Sequence, residues 1–389
     1  MCKISSISAH KILNSRGEWT LKATVYLTNG LGATASVPQG KSRGLNEAVC
    51  VSADQAVSNI RNILAPAIKD MDPTDQVKID NRLIDKDGTE NKAELGANAI
   101  LAVSLAVAKA GALMKEKFLW EHLQNLAETN VGFPRLFINV INGGVHAGNG
   151  INVQEYVGIT KKVAPTKSIE VSRLLYSQLK KYLAEEYGPS STGLGDEGGF
   201  SPNINDDITP LEILKTVIAE NNLSDDLNLG IDAAADNINK SKEDLFDFHS
   251  RIIADYGVKY IEDPFSEEKF GDFALLKQKF GDKVLICGDD LTVTNTFRMK
   301  KAADHDSVNS VIIKPNQIGT LTEVIKAIKF AKRKKWKVVV SHRSGETNDS
   351  FIADLAYAVN AYGIKLGSPA RGERVAKYNR FLEIEREAE

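Results

Sequence analysis

The chain has 389 residues, enough for two domains or for one small domain beside a large barrel, and too many for a peptide hormone, a disulfide miniprotein or a lone binding module. Its 49 Lys and Arg against 51 Asp and Glu leave a formal charge of −2, so no global field draws nucleic acid or an anionic membrane. Any charge that matters is local. Three scattered cysteines, Cys2, Cys50 and Cys287, show no C-x-x-C spacing and fit a reducing cytoplasm rather than a disulfide framework.

The opening stretch, MCKISSISAHKILNSRG, carries neither the apolar run nor the small-residue cleavage site of a targeting segment. From Lys3 to Val37 the pattern predicts strands, with Asn29-Gly30 as a hairpin turn. Apolar residues at helical spacing follow from Leu45 to about Ala127, broken by Pro66 and Pro73. Within them, Leu95 to Ala108 is uncharged for 14 residues, short of the roughly 20 that a bilayer requires, and reads as a buried Ala-rich helix. Residues 1–128 are therefore expected to form an α+β capping domain, and 129–389 a second domain.

Beyond Pro134 the apolar runs LFINVI and INVQEYVGIT flank GGVHAGNG and predict a hairpin. Helices are expected over 165–187 and from 210, the second announced by a capping box of Thr209 and Glu212 with Pro210 in its first turn. Another capping box, Thr320 with Glu323, opens a helix whose last turn, KRKK, is basic. Strand-length runs alternate with these helices, and each closes on a polar residue: Asp232, Glu262, Asp289, Lys314, His342 and Lys365. Intervals of 30, 27, 25, 28 and 23 residues each hold one strand, one helix and two loops, which is the rhythm of a β/α barrel. Runs such as VLIC and VVV are apolar on successive residues, as in parallel strands buried on both faces. An open Rossmann-type sheet is the competing architecture. No G-x-G-x-x-G follows a strand, however, and the polar strand ends match a barrel whose chemistry sits at its C-terminal rim.

Closing such a barrel brings Asp232, Glu262 and Asp289 to one end on consecutive strands. Three clustered carboxylates stay ionised only against a cation, and an all-oxygen donor set points to Mg2+. Lys314 follows on the next strand, where desolvation and a neighbouring cation lower an amine's pKa and make it available as a base. Arg343 and Ser344, with Lys365, offer donors to phosphate or carboxylate, so the expected substrate is small and multiply anionic. Glu197, bracketed by glycines in GLGDEGGF, is a candidate acid on the opposite wall, and Glu155 and His146 are expected to face the same mouth. Base, metal and acid so arranged suit proton abstraction next to a carboxylate, followed by departure of a β-hydroxyl.

The segments NSRG at 14–17, DGTENKAELGANAILAVSLA at 87–106, NVINGGVHAGN, GDEGGFSPN, YIEDPF, GDDLTVTN, KPNQIGT, SHRSGET and ARGERVAKYN closely resemble enolases (phosphopyruvate hydratases), with archaeal-type wording. The resemblance implies an α/β fold, a ββαα(βα)6 TIM-like barrel with an N-terminal α+β capping domain, assembled as a homodimer or higher oligomer. It also implies that 2-phosphoglycerate loses its C2 proton to Lys314, that Glu197 and Glu155 assist departure of the C3 hydroxyl, and that phosphoenolpyruvate results. Asp232, Glu262 and Asp289 would then hold a high-affinity Mg2+. Arg343 and Ser344 would take the phosphate and Lys365 the carboxylate region, with Gln154, His146 and His342 lining the pocket.

The family's mobile-loop wording S-G-A-S-T-G is replaced here by Gln39-Gly40-Lys41-Ser42-Arg43-Gly44. Gln39 is counted with the substrate-binding residues; its carbonyl is a candidate ligand for a second, substrate-dependent Mg2+, and Lys41 or Arg43 carries charge able to replace part of that ion's. This altered loop keeps open a related enzyme acting on a different phosphorylated or phosphonylated three-carbon acid. A weakly active binding protein is the third reading, opposed by the intact polar rim. Racemases and lactonising enzymes of the same superfamily commonly place a base in a K-x-K motif on an earlier strand and need no phosphate clamp, unlike the SHRS found here. No nucleic acid or membrane partner is expected.

Overall fold

The computed structural model describes residues 2–41 and 44–389. Strands β1 (Ile4–Leu13), β2 (Trp19–Leu27) and β3 (Gly32–Ser36) form an antiparallel sheet in that order. The turn between β2 and β3 uses Gly30 at φ +87°, a conformation that side-chain-bearing residues seldom adopt. Leu21, Ala23, Val25 and Leu27 alternate inward along β2 and are buried. The helix Ala97–Met114 packs on β2 and β3. It is apolar and long enough to cross a membrane, with a mean hydropathy of 1.7, yet 83% of it is buried inside the protein. Its alanines therefore serve as close-packed core of the cap, as expected.

Pro66 does not break the helical segment as its sequence position suggests. The helix beginning at Ala53 widens into a π-turn over Ile60–Leu64 and continues through Ala65–Ile68. Proline's missing N–H falls where the wider turn has already shifted the bonding pattern, so the chain stays helical. The helix at Thr209–Glu220 also starts differently from expectation. Asp206, not Thr209, supplies the cap, its carboxylate accepting from the N–H groups of Ile208 at 2.8 Å and Thr209 at 2.7 Å.

The second part of the chain closes β4 (Arg135–Asn142), β5 (Glu155–Thr160), β6 (Leu227–Asp232), β7 (Tyr260–Glu262), β8 (Leu285–Gly288), β9 (Ser310–Ile313), β10 (Lys337–Ser341) and β11 (Gly363–Lys365) into one barrel. Strand β5 is antiparallel to both neighbours and the other pairings are parallel. Helices Pro165–Tyr187 and Thr209–Glu220 separate β5 from β6, and the alternation thereafter gives the expected ββαα(βα)6 order. Closure excludes the open-sheet alternative. Phe137, Val157, Ile159, Tyr260, Cys287, Ile312 and Val339 fill the barrel interior, making it a packed core rather than a pore.

Cap and barrel are stitched together at the C-terminal ends of the barrel strands. Gln39 and Gly345 exchange backbone hydrogen bonds of 2.9 and 2.8 Å, Ser15 N–H donates to the Glu346 carbonyl, and Ala48 N–H donates to the Gln317 carbonyl. Segments 38–41 and 44–48 of the cap therefore lie across the rim.

Candidate active site

The barrel register puts the polar strand ends side by side. Asp232 pairs in register with Glu155 on one side and Glu262 on the other, while Asp289, Lys314 and His342 each follow directly after the last residue of β8, β9 and β10. Lys365 ends β11, beside Ser341. Apart from Glu262, they surround a tight cleft at the rim, with about 30 Å3 open to the centre of a water molecule. Among the described residues, six carboxylates line it (Glu155, Glu197, Asp232, Asp263, Asp289 and Asp290) against four cations (Lys41, Lys314, Arg343 and Lys365). The surplus is negative.

Lys365 is the electrostatic centre. Its buried ammonium lies 3.1 Å from Glu155, 3.2 Å from Asp232 and 2.8 Å from Glu262. Glu262 sits beneath the cleft floor, wholly buried, where the Tyr260 hydroxyl donates to its Oε2 at 2.5 Å. Burial, then the charges of Asp232 and Asp289, push the Glu262 carboxyl up to about 8. Among the described residues its buried Oε1 finds no hydrogen-bond partner.

Lys314 donates to Asp289, whose other oxygen accepts from Gln317 at 2.9 Å. The lowered amine pKa expected from sequence depends on a neighbouring cation, and the Asp289 contact by itself acts in the opposite direction. Burial alone would depress the Lys314 value, yet direct contact with Asp289 outweighs burial and holds it above the ordinary lysine range.

Glu155, on β5, lies on the opposite side of the barrel from Lys314, which follows β9, and Glu197 is beside Glu155. Glu197 Oε2 accepts from Asn139 Nδ2 at 3.0 Å and lies 3.2 Å from His342 Nε2, while His146 Nδ1 is 3.6 Å from Glu155 and 3.9 Å from Glu197. Burial and the facing Glu197 charge push the Glu155 carboxyl well above its usual value, so this wall can carry one proton between two carboxylates. Burial lowers His342 to about 4 and also lowers His146, so both rings are neutral near pH 7.

Arg343 holds Glu47 of the cap through a two-pronged ion pair, Nη1 to Oε2 at 2.9 Å and Nη2 to Oε1 at 3.1 Å, and Nη1 also reaches Asn316. The Ser344 hydroxyl accepts from Lys41 N–H at 2.8 Å. Gln154 donates weakly to Asp232 at 3.4 Å.

Of the residues expected from sequence, Gln39 is the one whose side chain is turned elsewhere. Its amide oxygen accepts from Asn14 and its amide nitrogen donates to the Trp19 carbonyl, and Gly40 and Lys41 border the cleft in its place. Arg43 lies outside the described residues. Sequence reasoning missed Asp263 and Asp290, the unused halves of the IED and GDD doublets, as well as Glu47, Asn139, Gln317 and Arg374.

Two sets of potential metal-ligand atoms fall within 4.8 Å of one another, His146 with Glu155 and Glu197, and Asp263 with Asp289 and Asp290. The expected trio shares only Asp289 with them, and the Lys365 ammonium contacts both Asp232 and Glu262. The donor chemistry still suits a hard divalent cation: the trio is all carboxylate, and Glu262 keeps a buried oxygen that no donor among the described residues meets.

Residues 4–123 match the family model described as enolase, N-terminal domain, and residues 130–389 match enolase, C-terminal TIM barrel domain. The chain belongs to the enolase family. An enolase of Solanum lycopersicum is 40% identical, covering 100% of this chain and 96% of that protein. Enolases of Methanopyrus kandleri and Metallosphaera sedula are each 40% identical, covering 99% of this chain and 96% of theirs. As an enolase the chain is a carbon–oxygen hydro-lyase, a phosphopyruvate hydratase, acting on a small phosphorylated substrate with a divalent metal.

Proposed function

We propose that Lys314 removes the C2 proton of 2-phosphoglycerate and that Glu197, with Glu155, assists departure of the C3 hydroxyl as water, giving phosphoenolpyruvate. The carrying observation is that Lys314 and the two glutamates border one cleft from opposite walls. The raised Glu155 pKa supports a wall that gives up a proton to a leaving hydroxyl, and the neutral His342 at 3.2 Å orients Glu197 for the same step. Arg343 and Ser344 take the phosphate, Lys365 the substrate carboxylate, and Gln154 and His146 complete the pocket. Asp232, Glu262 and Asp289 hold Mg2+. When bound, that ion supplies positive charge to the carboxylate, whose negative charge grows as the C2 proton leaves. Lys41, which borders the cleft 3.3 Å from Asp196, is the loop residue that brings charge near any second metal position, in place of Gln39.

In this reading residues 1–128 act as the cap and 129–389 as the catalytic barrel. The enzyme works as a homodimer or higher oligomer in the cytoplasm, a setting compatible with three scattered cysteines that show no C-x-x-C spacing. The test is turnover of 2-phosphoglycerate with Mg2+, followed by the ultraviolet absorbance of the enol ether. Lys314→Ala should lower kcat by at least about a hundredfold. Equal rates for the two proteins would reject the assignment.

A further inference from the structure

A second charged feature lies at the opposite, N-terminal end of the barrel. Arg135 opens β4, Lys337 opens β10, and Lys162 follows the end of β5, which runs the other way. Lys332 and Lys335 come from the end of the helix Leu321–Arg333 and the turn after it. These five cations line a groove of about 450 Å3 to which no Asp or Glu contributes, and it shares no residue with the catalytic cleft. Among the described residues none of the five is held by a carboxylate. Asp226, whose carbonyl accepts from Lys161 N–H next to the groove, pairs with Lys167, and Glu128 pairs with Lys329.

The cations are also close to one another. The Arg135 guanidinium lies 4.2 Å and the Lys337 ammonium 5.6 Å from the centre of the same Tyr362 ring. Lys162 donates to the Asn360 side chain at 3.2 Å, and Lys332 donates to the Val359 carbonyl. An ammonium has three donors, so each keeps two more. Five like charges gathered in one groove of a chain whose net charge is −2 repel one another until an anion joins them.

We propose that this groove binds a compact polyanion built of linked phosphate groups. A terminal phosphate group brings about −1.5 to −2 charges and each inner one about −1, so three joined in one molecule nearly balance five cations, whereas a lone carboxylate leaves most of them unmet. Lysines act as point charges and accept phosphate oxygens from several directions, and Arg135 adds a planar fork. A nucleic acid strand fits less well. Arg135 stacks on Tyr362, and Trp336 is only 8% exposed, so no open ring face awaits a base.

Inorganic tripolyphosphate is the probe, titrated into the full-length protein in a chelator-containing, low-salt buffer by calorimetry. Fluorescence of Trp336, which lines the groove, serves as the local reporter in a Trp19→Phe, Trp120→Phe background. One-to-one binding is expected, weakening at least tenfold in the double variant Lys335→Gln, Lys337→Gln, both of which alter exposed side chains. Turnover of 2-phosphoglycerate by that variant should match the parent, and circular dichroism checks its fold. Arg343→Gln, in the catalytic cleft, should leave tripolyphosphate binding intact. ATP binding as tightly as tripolyphosphate identifies a nucleotide's phosphate tail as sufficient, and weaker ATP binding identifies free polyphosphate; both support the site. Absence of saturable binding, loss of binding in Arg343→Gln but not in the lysine variant, or tighter binding of a 12-nucleotide single-stranded RNA at equal salt would each overturn it.

Discussion

Arg374 donates from Nη1 to His342 Nδ1, both side chains being buried. A guanidinium offers no acceptor, so Nδ1 must be the bare nitrogen and Nε2 must carry the ring proton. That proton faces Glu197 Oε2 at 3.2 Å. Arg374 is itself fixed by the carbonyls of Arg343 and Ser344, each at 2.6 Å, so it acts as a positioning residue that sets the tautomer of the ring beside the acid. Arg374→Lys keeps the charge but loses the fork. We expect kcat to fall roughly tenfold or more with KM little changed. Nitrogen NMR of His342 should show loss of the pure Nε2–H form. An unaltered tautomer with normal kcat would remove Arg374 from the mechanism.

The Arg343 fork proposed for the substrate phosphate is already filled by Glu47, at 2.9 and 3.1 Å. Substrate must share or displace that carboxylate. Glu47→Gln exchanges a charged acceptor for a neutral one and removes about 1 kcal/mol of competition, so KM for 2-phosphoglycerate should drop about fivefold. Inhibition by inorganic phosphate should strengthen in parallel. A higher KM in steady-state kinetics would mean that Glu47 instead holds Arg343 in its binding posture.

The barrel was legible because its strands advertise themselves: each apolar run after residue 226 ends on a polar side chain, and a strand buried on both faces has no other place for one. The site was legible to the same depth. At the doublets the sequence does not say which acid turns inward; Asp263 leaves the strand at φ +39° and accepts from the N–H groups of both Asp289 and Asp290, a turn written in backbone rather than composition. Glu47 and Arg374 were invisible for a different reason. Their roles come from contacts 296 and 32 residues away, and nothing periodic surrounds Glu47. Lys314 shows the limit of reasoning about an environment in general terms. Burial was inferable, but the ion pair with Asp289, which reverses its effect, required coordinates.

Among the described residues Lys365 is the one cation shared by Glu155, Asp232 and Glu262, each within 3.2 Å, and it favours their ionised forms against burial. Lys365→Met should therefore leave the cluster's buried charge unpaired at a cost of about 3–5 kcal/mol, part of which Mg2+ can offset. Measured by calorimetric melting, the variant should melt well below the parent in chelator, and added Mg2+ should raise its Tm by more than it raises the parent's. An equal Mg2+ increment in both proteins would show that the cation and Lys365 serve different carboxylates.

Among the described residues, His122, wholly buried in the cap helix Leu119–Ala127, finds no hydrogen-bond partner for either ring nitrogen. Burial, reinforced by the charges of Lys115 and Lys117, lowers its pKa to about 4, against an unfolded value near 6.5. Between those values the unfolded chain takes up a proton that the folded chain refuses, so this residue removes stability as pH falls from about 6.5 toward 4, at up to roughly 1.4 kcal/mol per unit. A side chain bulkier than the ring has little room, since even a Cβ added at Gly111 would come within 2.9 Å of Nε2. His122→Leu meets that limit and discards both unmet polar atoms. Scanning calorimetry should find the variant slightly more stable than the parent at pH 7 and more clearly so at pH 5, because only the parent still has this imidazole to protonate on unfolding. Tm differences that stay constant between the two pH values would show that folding leaves the His122 pKa unchanged.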